Sequence, residues 1–299
     1  MRRMRHAAPV TTADPLSRAL GEAVAGKRQA LYDLLSRGSR LPGTRVNSEL
    51  ADAFAQACRS MAPRADAVAL AMTRLSADEA PGGTAFEFLP VCGVHALGLR
   101  AAADPGVRVA FLAELHARAD DLRFRVRDAV VEALAKVGEA TGDALVADVA
   151  SWMDGYFHAA AVLRALGHDT WQGSLHDATA VVARLDEAFL LARDAPRAAA
   201  RWPGHKALIE TLAEIPTRVA PRFGVPIFDM LVRWSATKDP VLREGVGAIL
   251  LSRKLAGRFG PEMARLDAAL KATTPAPRNP DHDFGPSRDR SKNRRRGRR

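Results

Sequence analysis

The chain has 299 residues, of which 47% are apolar, and its 44 Lys/Arg and 34 Asp/Glu give a formal net charge of +10. This length and apolar fraction suffice for a large core, which excludes a chain that is disordered throughout. No run approaches the ~18 apolar residues of a membrane-spanning helix, and the low aromatic content of 6% argues against a fold built from β-sheets.

The positive charge is concentrated at the two ends of the sequence. Residues 271–299 contain ten Lys/Arg and three Asp, and residues 1–18 contain four Arg and one Asp. Residues 19–270 therefore hold 30 basic and 30 acidic side chains. A nucleic-acid groove through this body would normally leave a basic excess there, so the balance argues against one.

Apolar residues recur at helical spacing in the N-terminal part of the chain. The predicted helices span residues 14–36, 48–61 and 63–75. Residues 1–13 precede them and are expected to be disordered. The segment SADEAPGG, Ser76–Gly83, then predicts a loop. It either separates an N-terminal unit or cap, residues 14–80, from the helices of residues 84–270, or lies on the surface of one continuous array.

Helical spacing continues from residue 84 to residue 270, and no strand is predicted. The predicted helices span residues 84–101, 105–118, 120–138, 142–152, 156–166, 174–193, 203–215, 225–235, 240–255 and 261–270. In the third of these, apolar side chains form one stripe and Gly138 suits the C-terminal end. The predicted fold class is all-α, followed by a disordered Arg-rich tail over residues 271–299.

Two segments of the sequence repeat a short pattern. DPGVR, Asp104–Arg108, and DPVLR, Asp239–Arg243, share Asp-Pro, two further residues and Arg. A Val-Arg pair also opens the helix at Val126–Arg127. In this pattern Asp caps the helix and Pro suits its first turn, so that Arg can pair with acidic groups of the neighbouring repeat.

This pattern resembles the HEAT-repeat family. The resemblance implies a right-handed α-solenoid of stacked antiparallel helix pairs, which would cover residues 84–270. Arg127 and Arg243 are 116 positions apart, close to three repeats of about 39 residues. A second resemblance, over Arg233–Leu255, is to the DNA alkylation-repeat proteins, HEAT-like glycosylases whose cleft is lined by Trp and Arg with an Asp; Asp154 and Trp234 are the nearest candidates here.

The densest basic segment of the body predicts a binding site. The candidate residues are Arg193, Arg197, Arg201, Trp202, Lys206, Arg233 and Trp234. Such a cluster can hold a phosphate or an acidic peptide, helped by the helix N-terminus at Pro203. Alternatively, the arginines pair with acids of adjacent repeats while Trp202 packs inside.

Histidine–aspartate pairs raise the possibility of a metal-dependent phosphohydrolase of the HD type. His168-Asp169 and His176-Asp177 lie eight residues apart, downstream of His158, but they do not follow that family's order of ligands. Helix capping explains them better, so no metal and no cofactor are predicted. The two cysteines, Cys58 and Cys92, match no metal spacing and are expected to be reduced, buried thiols of a cytoplasmic protein.

The C-terminal tail carries the clearest charge signal. Its basic residues are Arg288, Arg290, Lys292, Arg294, Arg295, Arg296, Arg298 and Arg299. Such a run binds the charged phosphate backbone of nucleic acid, or another polyanion. The sequence thus predicts a non-catalytic helical-repeat scaffold that binds a protein partner, with the tail contacting a polyanion and no contact with a membrane. The alternatives are the DNA-processing enzyme and the phosphohydrolase.

Overall fold

A computed structural model of the chain describes residues 14–274. These residues are mainly helical, and no strand occurs among them. The α-helices are α1 Pro15–Val24, α2 Gln29–Gly38, α3 Ser48–Ser60, α4 Asp66–Thr73, α5 Phe88–Ala103, α6 Pro105–Ala119, α7 Phe124–Thr141, α8 Asp143–Asp148, α9 Tyr156–Leu166, α10 Asp169–Gln172, α11 Ala178–Arg193, α12 Pro203–Phe223, α13 Val225–Trp234, α14 Pro240–Gly247, α15 Arg253–Ala256 and α16 Gly260–Ala272. Short 3-10 helices span Ala85–Glu87, Ala150–Asp154, Arg197–Arg201 and Ala248–Leu251. None of the helices in this part of the chain combines the length and apolarity needed to cross a membrane.

The long helices pack side by side in an alternating order. Helix α5 packs against α3 and α7, α7 packs against α9, α9 against α12, and α12 against α14. The intervening helices pack against the members of this row and against one another: α6 contacts α5 and α7, α11 contacts α12 and α13, and α13 contacts α16. Most helices therefore contact both their sequence neighbour and the helix after it.

One cluster of buried apolar side chains runs from Leu16 to Leu266. Its central helix is α5, in which nearly every residue is buried. Two glycines of α5 permit close helix contacts, because a Cβ at Gly98 would lie 2.8 Å from the Cα of Ala133 and a Cβ at Gly93 would lie 2.6 Å from the backbone nitrogen of Thr73. The cysteines Cys58 and Cys92 are unpaired and buried in this core, and burial raises the pKa of the Cys58 thiol to about 12.

Several of the expected helix boundaries are wrong, and the helix expected over residues 240–255 is divided into α14, a 3-10 helix and α15. The single helix expected over residues 14–36 is two helices, α1 and α2, which are separated at Gly26, where φ is 94°. Gly138 does not end its helix, because α7 continues to Thr141. Helix α12 does not stop near residue 215 but continues to Phe223 through two prolines, since burial of its apolar face outweighs the hydrogen bonds that proline removes.

The Asp-Pro turns cap their helices as predicted, but their arginines do not pair with acids. Asp104 accepts a hydrogen bond from the N–H of Gly106 (2.9 Å), and Asp239 accepts one from Val241 (2.8 Å). The arginine of each motif instead donates to a backbone carbonyl. The donor–acceptor pairs are Arg108 to Ala101 (3.0 Å), Arg127 to Asp121 (2.5 Å) and Arg243 to Ser235 (2.7 Å). Carbonyls at helix ends lack intrahelical partners, which explains this choice of acceptor.

The folded chain extends past residue 271, where the tail was expected to begin. Thr273 donates to the carbonyl of Ser235 (2.7 Å), and Arg243 donates to the hydroxyl of Thr274 (3.1 Å). These bonds attach the end of α16 to Ser235, in the loop before α14, and to Arg243 of α14. The basic residues of the predicted tail, 288–299, and the N-terminal residues 1–13 lie outside the described part of the chain.

Candidate functional site

A cavity of about 680 Å³ between α11 and α13 contains three of the predicted binding residues. The indole of Trp234 stacks on Phe189, with ring centroids 5.0 Å apart, and its N–H donates to Asp186 (2.7 Å). Arg233 donates to the other oxygen of the same carboxylate (2.7 Å). The guanidinium of Arg193 lies 5.8 Å from the Trp234 ring centroid, within the range of a cation–π contact. The structure therefore brings Arg193, Arg233 and Trp234 together.

The other predicted binding residues lie on the next segment of the chain. Arg197 and Arg201 are exposed on a 3-10 helix, and Lys206 is exposed in the first turns of α12. Trp202 does not pack inside: 47% of it is exposed, and its ring centroid lies 6.1 Å from that of Tyr156. The alternative in which Trp202 is a core residue is therefore wrong.

Apolar side chains connect Trp202 to the cavity at Trp234. Leu190 lines the cavity at Trp234 and also a second cavity of about 380 Å³, whose lining includes Tyr156. Because Tyr156 contacts Trp202, an apolar path runs from Trp234 through Leu190 and Tyr156 to Trp202. We call this surface the aromatic groove.

The unpaired charge around the aromatic groove is mainly positive. Three of its acidic side chains bind an arginine: Asp186 pairs with Arg233 (2.7 Å), Glu187 with Arg184 (2.7 Å) and Asp194 with Arg193 (2.8 Å). The fourth, Asp239, forms no ion pair within residues 14–274 and caps α14. Four basic side chains near the groove form no ion pair within residues 14–274: Arg197, Arg201, Lys206 and Lys238. A ligand that carries negative charge would meet these groups without displacing an acid.

The remaining two tryptophans are buried. Trp152 is 3% exposed and Trp171 is fully buried. Asp154, the residue proposed as a candidate for base excision, does not stand free beside an exposed tryptophan, because two histidines bind its carboxylate. The geometry therefore does not place Asp154 in the Trp, Arg and Asp cleft that the alkylation-repeat resemblance implies. The Trp, Arg and Asp that lie in one cavity are Trp234, Arg233 and Asp186, whose carboxylate is bonded to the other two side chains.

Asp154 lies instead at the centre of a His–Asp–His cluster. One of its oxygens, Oδ1, is 3.1 Å from Nε2 of His116 and 2.8 Å from Nδ1 of His158. The imidazole rings stack with their centroids 3.9 Å apart. Partial burial raises the pKa of Asp154, but the hydrogen bonds and charge of the two histidines outweigh this effect and hold the pKa below its ordinary value. Sequence reasoning noted His158 and Asp154 separately and missed His116, which lies on another helix.

The two His-Asp pairs of the sequence are not brought together with His158. The side chain of His168 caps α10 by accepting from the N–H of Thr170 (3.3 Å). Asp177 caps α11 by accepting from Thr179 (2.8 Å) and Ala180 (3.1 Å). Helix capping therefore accounts for His168 and Asp177, in agreement with the prediction.

A larger groove, with a cavity of about 750 Å³, crosses α3, α5 and α7. Several of its charged groups pair with one another: Asp52 binds His95 (3.2 Å) and Lys136 (3.4 Å), and Glu132 lies 3.4 Å from His168. Arg45 and Glu139, of opposite charge, line the groove without an ion pair in residues 14–274. The hydrogen bond with His95 is the main reason that the pKa of Asp52 lies below its ordinary value. Since these side chains satisfy one another, the groove offers a ligand less unpaired charge than the aromatic groove does.

Comparison of the chain with known proteins does not assign it to a family. No family model matches it, and no curated protein and no solved structure matches it significantly. The function is therefore interpreted from the geometry and charge of the residues described above.

Proposed function

We propose that this protein is a non-catalytic helical-repeat scaffold that binds an acidic segment of a partner protein in the aromatic groove. The repeat part of the proposal is an α-solenoid of HEAT type. It is supported by the Asp-Pro caps at Asp104 and Asp239 and by the alternating contacts of α5, α7, α9, α12 and α14. In such arrays each repeat contacts its neighbours and leaves an extended surface for a partner.

The observation that carries the proposal is the combination of exposed aromatic surface with unpaired positive charge. Trp202 is 47% exposed, although a tryptophan placed only for stability would be largely buried. Tryptophan and arginine are the residues that contribute most to binding at protein interfaces. Arg197 and Arg201 stand beside Trp202 with no acidic partner in the described residues. An extended segment with acidic and apolar side chains complements both features.

The basic tail adds a second contact to the proposed function. Residues 288–299 hold eight Lys/Arg and one Asp, enough to bind a nucleic-acid backbone or another polyanion without sequence preference. The balanced charge of residues 19–270 supports assigning this contact to the tail and not to the helices. Cytoplasmic location is part of the same proposal, since the buried thiols Cys58 and Cys92 are unpaired.

The groove contact is tested with a short fluorescent peptide of Asp, Glu and Leu, whose binding to the full chain is measured by anisotropy. The same peptide with Lys in place of every acidic residue serves as the ligand control. We expect the acidic peptide alone to bind. Trp202→Ala should weaken binding by at least about 10-fold, because central aromatic residues of an interface contribute about 2 kcal/mol or more.

A charge-reversal pair separates the groove from general attraction between charges. Arg197→Glu with Arg201→Glu should abolish peptide binding. The control double variant, Arg253→Glu with Lys254→Glu, changes the net charge by the same amount at exposed positions outside the groove. At a salt concentration that screens long-range attraction, it should change the peptide affinity by less than about 2-fold. Equal effects of the two double variants, or equal affinity for the acidic and basic peptides, contradict the proposal.

A further inference from the structure

The cluster of His116, Asp154 and His158 has the donor set of a metal centre with three protein ligands. Within residues 14–274 it is the one group of three His, Cys, Asp or Glu side chains whose ligand atoms converge, all lying within 4.8 Å of one another. Two imidazole nitrogens and one carboxylate oxygen are ligands that zinc and the neighbouring divalent transition metals favour. The cluster lies outside the aromatic groove, and its role is independent of the function proposed for that groove.

The distances between these atoms suit a bound ion. Ligand atoms that each lie about 2.0–2.1 Å from a tetrahedral Zn²⁺ stand about 3.3 Å apart. Asp154 Oδ1 is 3.1 Å from His116 Nε2 and 2.8 Å from His158 Nδ1. The two histidine nitrogens lie within 4.8 Å of each other, so all three ligand atoms are close enough to be drawn around one ion.

The surroundings hold the histidine rings in place. The ring of His116 meets Trp152 edge to face, with centroids 5.0 Å apart, and Trp152 itself is buried. His158 is 16% exposed at its side chain and follows Gly155 at the start of α9. A Cβ at Gly155 would lie 2.6 Å from Nδ1 of His158. The glycine thus leaves the space that the ligand nitrogen occupies.

The open side of the cluster faces a cavity of about 340 Å³. Its lining includes His116, Asp154 and two further oxygen donors, Asp148 and Ser151. Asp154 is 52% exposed at its side chain, so solvent reaches the carboxylate. A metal held by three protein ligands keeps one position for water or a small oxygen ligand. We propose that His116, Asp154 and His158 form a site for a divalent transition metal of the zinc class, with its open position directed into this cavity.

The test measures metal binding to the untagged full chain after treatment with a chelator. Co²⁺ is titrated by visible absorption, and Zn²⁺ by equilibrium dialysis. We expect one equivalent of metal per chain and a thermal unfolding midpoint that Zn²⁺ raises. His116→Gln, Asp154→Asn and His158→Gln should each weaken binding by about 100-fold or more, since changing even the residues that support metal ligands costs about 10- to 100-fold.

Matched variants distinguish this site from other histidines. His168→Gln alters a histidine that also contacts a carboxylate, and His282→Gln alters the sequence Asp281-His282-Asp283 near the C-terminus; both variants should keep the bound equivalent. Gly155→Ala should weaken binding without removing a donor. Asp154→Asn preserves side-chain size, so far-UV circular dichroism is expected to show an unchanged fold.

The proposal is overturned if no stoichiometric binding occurs, if binding survives in all three ligand variants, or if it is lost only in His282→Gln. The cluster is then a hydrogen-bonded network without an ion.

Discussion

The indole of Trp171 fills the space that a side chain at Gly138 would occupy. A Cβ at Gly138 would lie 2.2 Å from Cδ2 of Trp171, and the indole N–H donates to the carbonyl of Gly142 (3.1 Å), one turn further along. Trp171 is fully buried. The glycine inside α7 thus allows α10 to pack directly on the α7 backbone.

Gly138→Ala should therefore destabilise the protein although alanine is the better helix former. The added methyl must displace a buried indole, and overpacking of this kind lowers the free energy of unfolding by about 1–3 kcal/mol. The higher helix propensity of alanine raises it by only about 1 kcal/mol. Gly21→Ala is the matched control: it lies inside α1, where a Cβ meets nothing within 4 Å, and should stabilise by about 0.5–1 kcal/mol. Urea denaturation measures both. Stabilisation by both substitutions contradicts the packing role of Gly138.

The buried side chain of Arg123 hydrogen-bonds to the loop between α4 and α5. It pairs with Asp121 through two hydrogen bonds (2.8 and 2.7 Å) and donates to the carbonyls of Leu75 (2.8 Å) and Ala80 (2.9 Å). Arg123→Met should destabilise the protein by up to about 3–5 kcal/mol, because it leaves the buried carboxylate of Asp121 with only the more distant Arg118 (3.6 Å) as an ion-pair partner. Arg125 is not a suitable control, since it binds Glu87; Arg253→Met, at an exposed position, should change stability by less than about 0.5 kcal/mol.

The same ion pair makes part of the stability depend on pH. Burial raises the pKa of Asp121, but the hydrogen bonds and charge of Arg123 outweigh this and hold the pKa below its ordinary value of 3.8. A carboxyl whose pKa is lower in the folded state contributes stability above that ordinary value and loses it as the pH falls through the folded-state pKa. The difference in unfolding free energy between the wild type and Asp121→Asn should therefore shrink on acidification below pH 3.8. A difference that stays constant from neutral to acid pH contradicts this assignment.

Local signals in the sequence predict helices better than they predict sites. The span of α9, Tyr156–Leu166, was predicted correctly, because glycines flank the apolar pattern at both ends. The role of Gly138 was not predictable, since it depends on Trp171, a residue of another helix. The His–Asp–His cluster was missed for the same reason. His116 and Asp154 are 38 positions apart, and only the packing of α6 near α9 brings them together.

Arg243 should hold α16 against the rest of the fold. It donates to the carbonyls of Ser235 (2.7 Å) and Leu270 and to the hydroxyl of Thr273 (2.9 Å). Arg243→Ala removes these bonds, and hydrogen bonds to a charged group contribute about 1.5–3 kcal/mol each. Amide hydrogen exchange in α16 should therefore accelerate by about 10-fold or more, with little change in α5. Uniform acceleration in both helices contradicts a local role of Arg243.

Removal of the basic tail should abolish binding to nucleic acid. The truncation ends at Thr274, because Thr273 and Thr274 hydrogen-bond with the folded chain, and it removes all eight basic residues of 288–299. The full chain should bind DNA and RNA alike, with an affinity that falls steeply as salt rises, since each neutralised phosphate releases a counterion. The truncated chain should not bind in the same salt series, but should keep its affinity for the acidic peptide. If it still binds nucleic acid, and Trp202→Ala weakens that binding, the aromatic groove accepts bases in place of a protein segment.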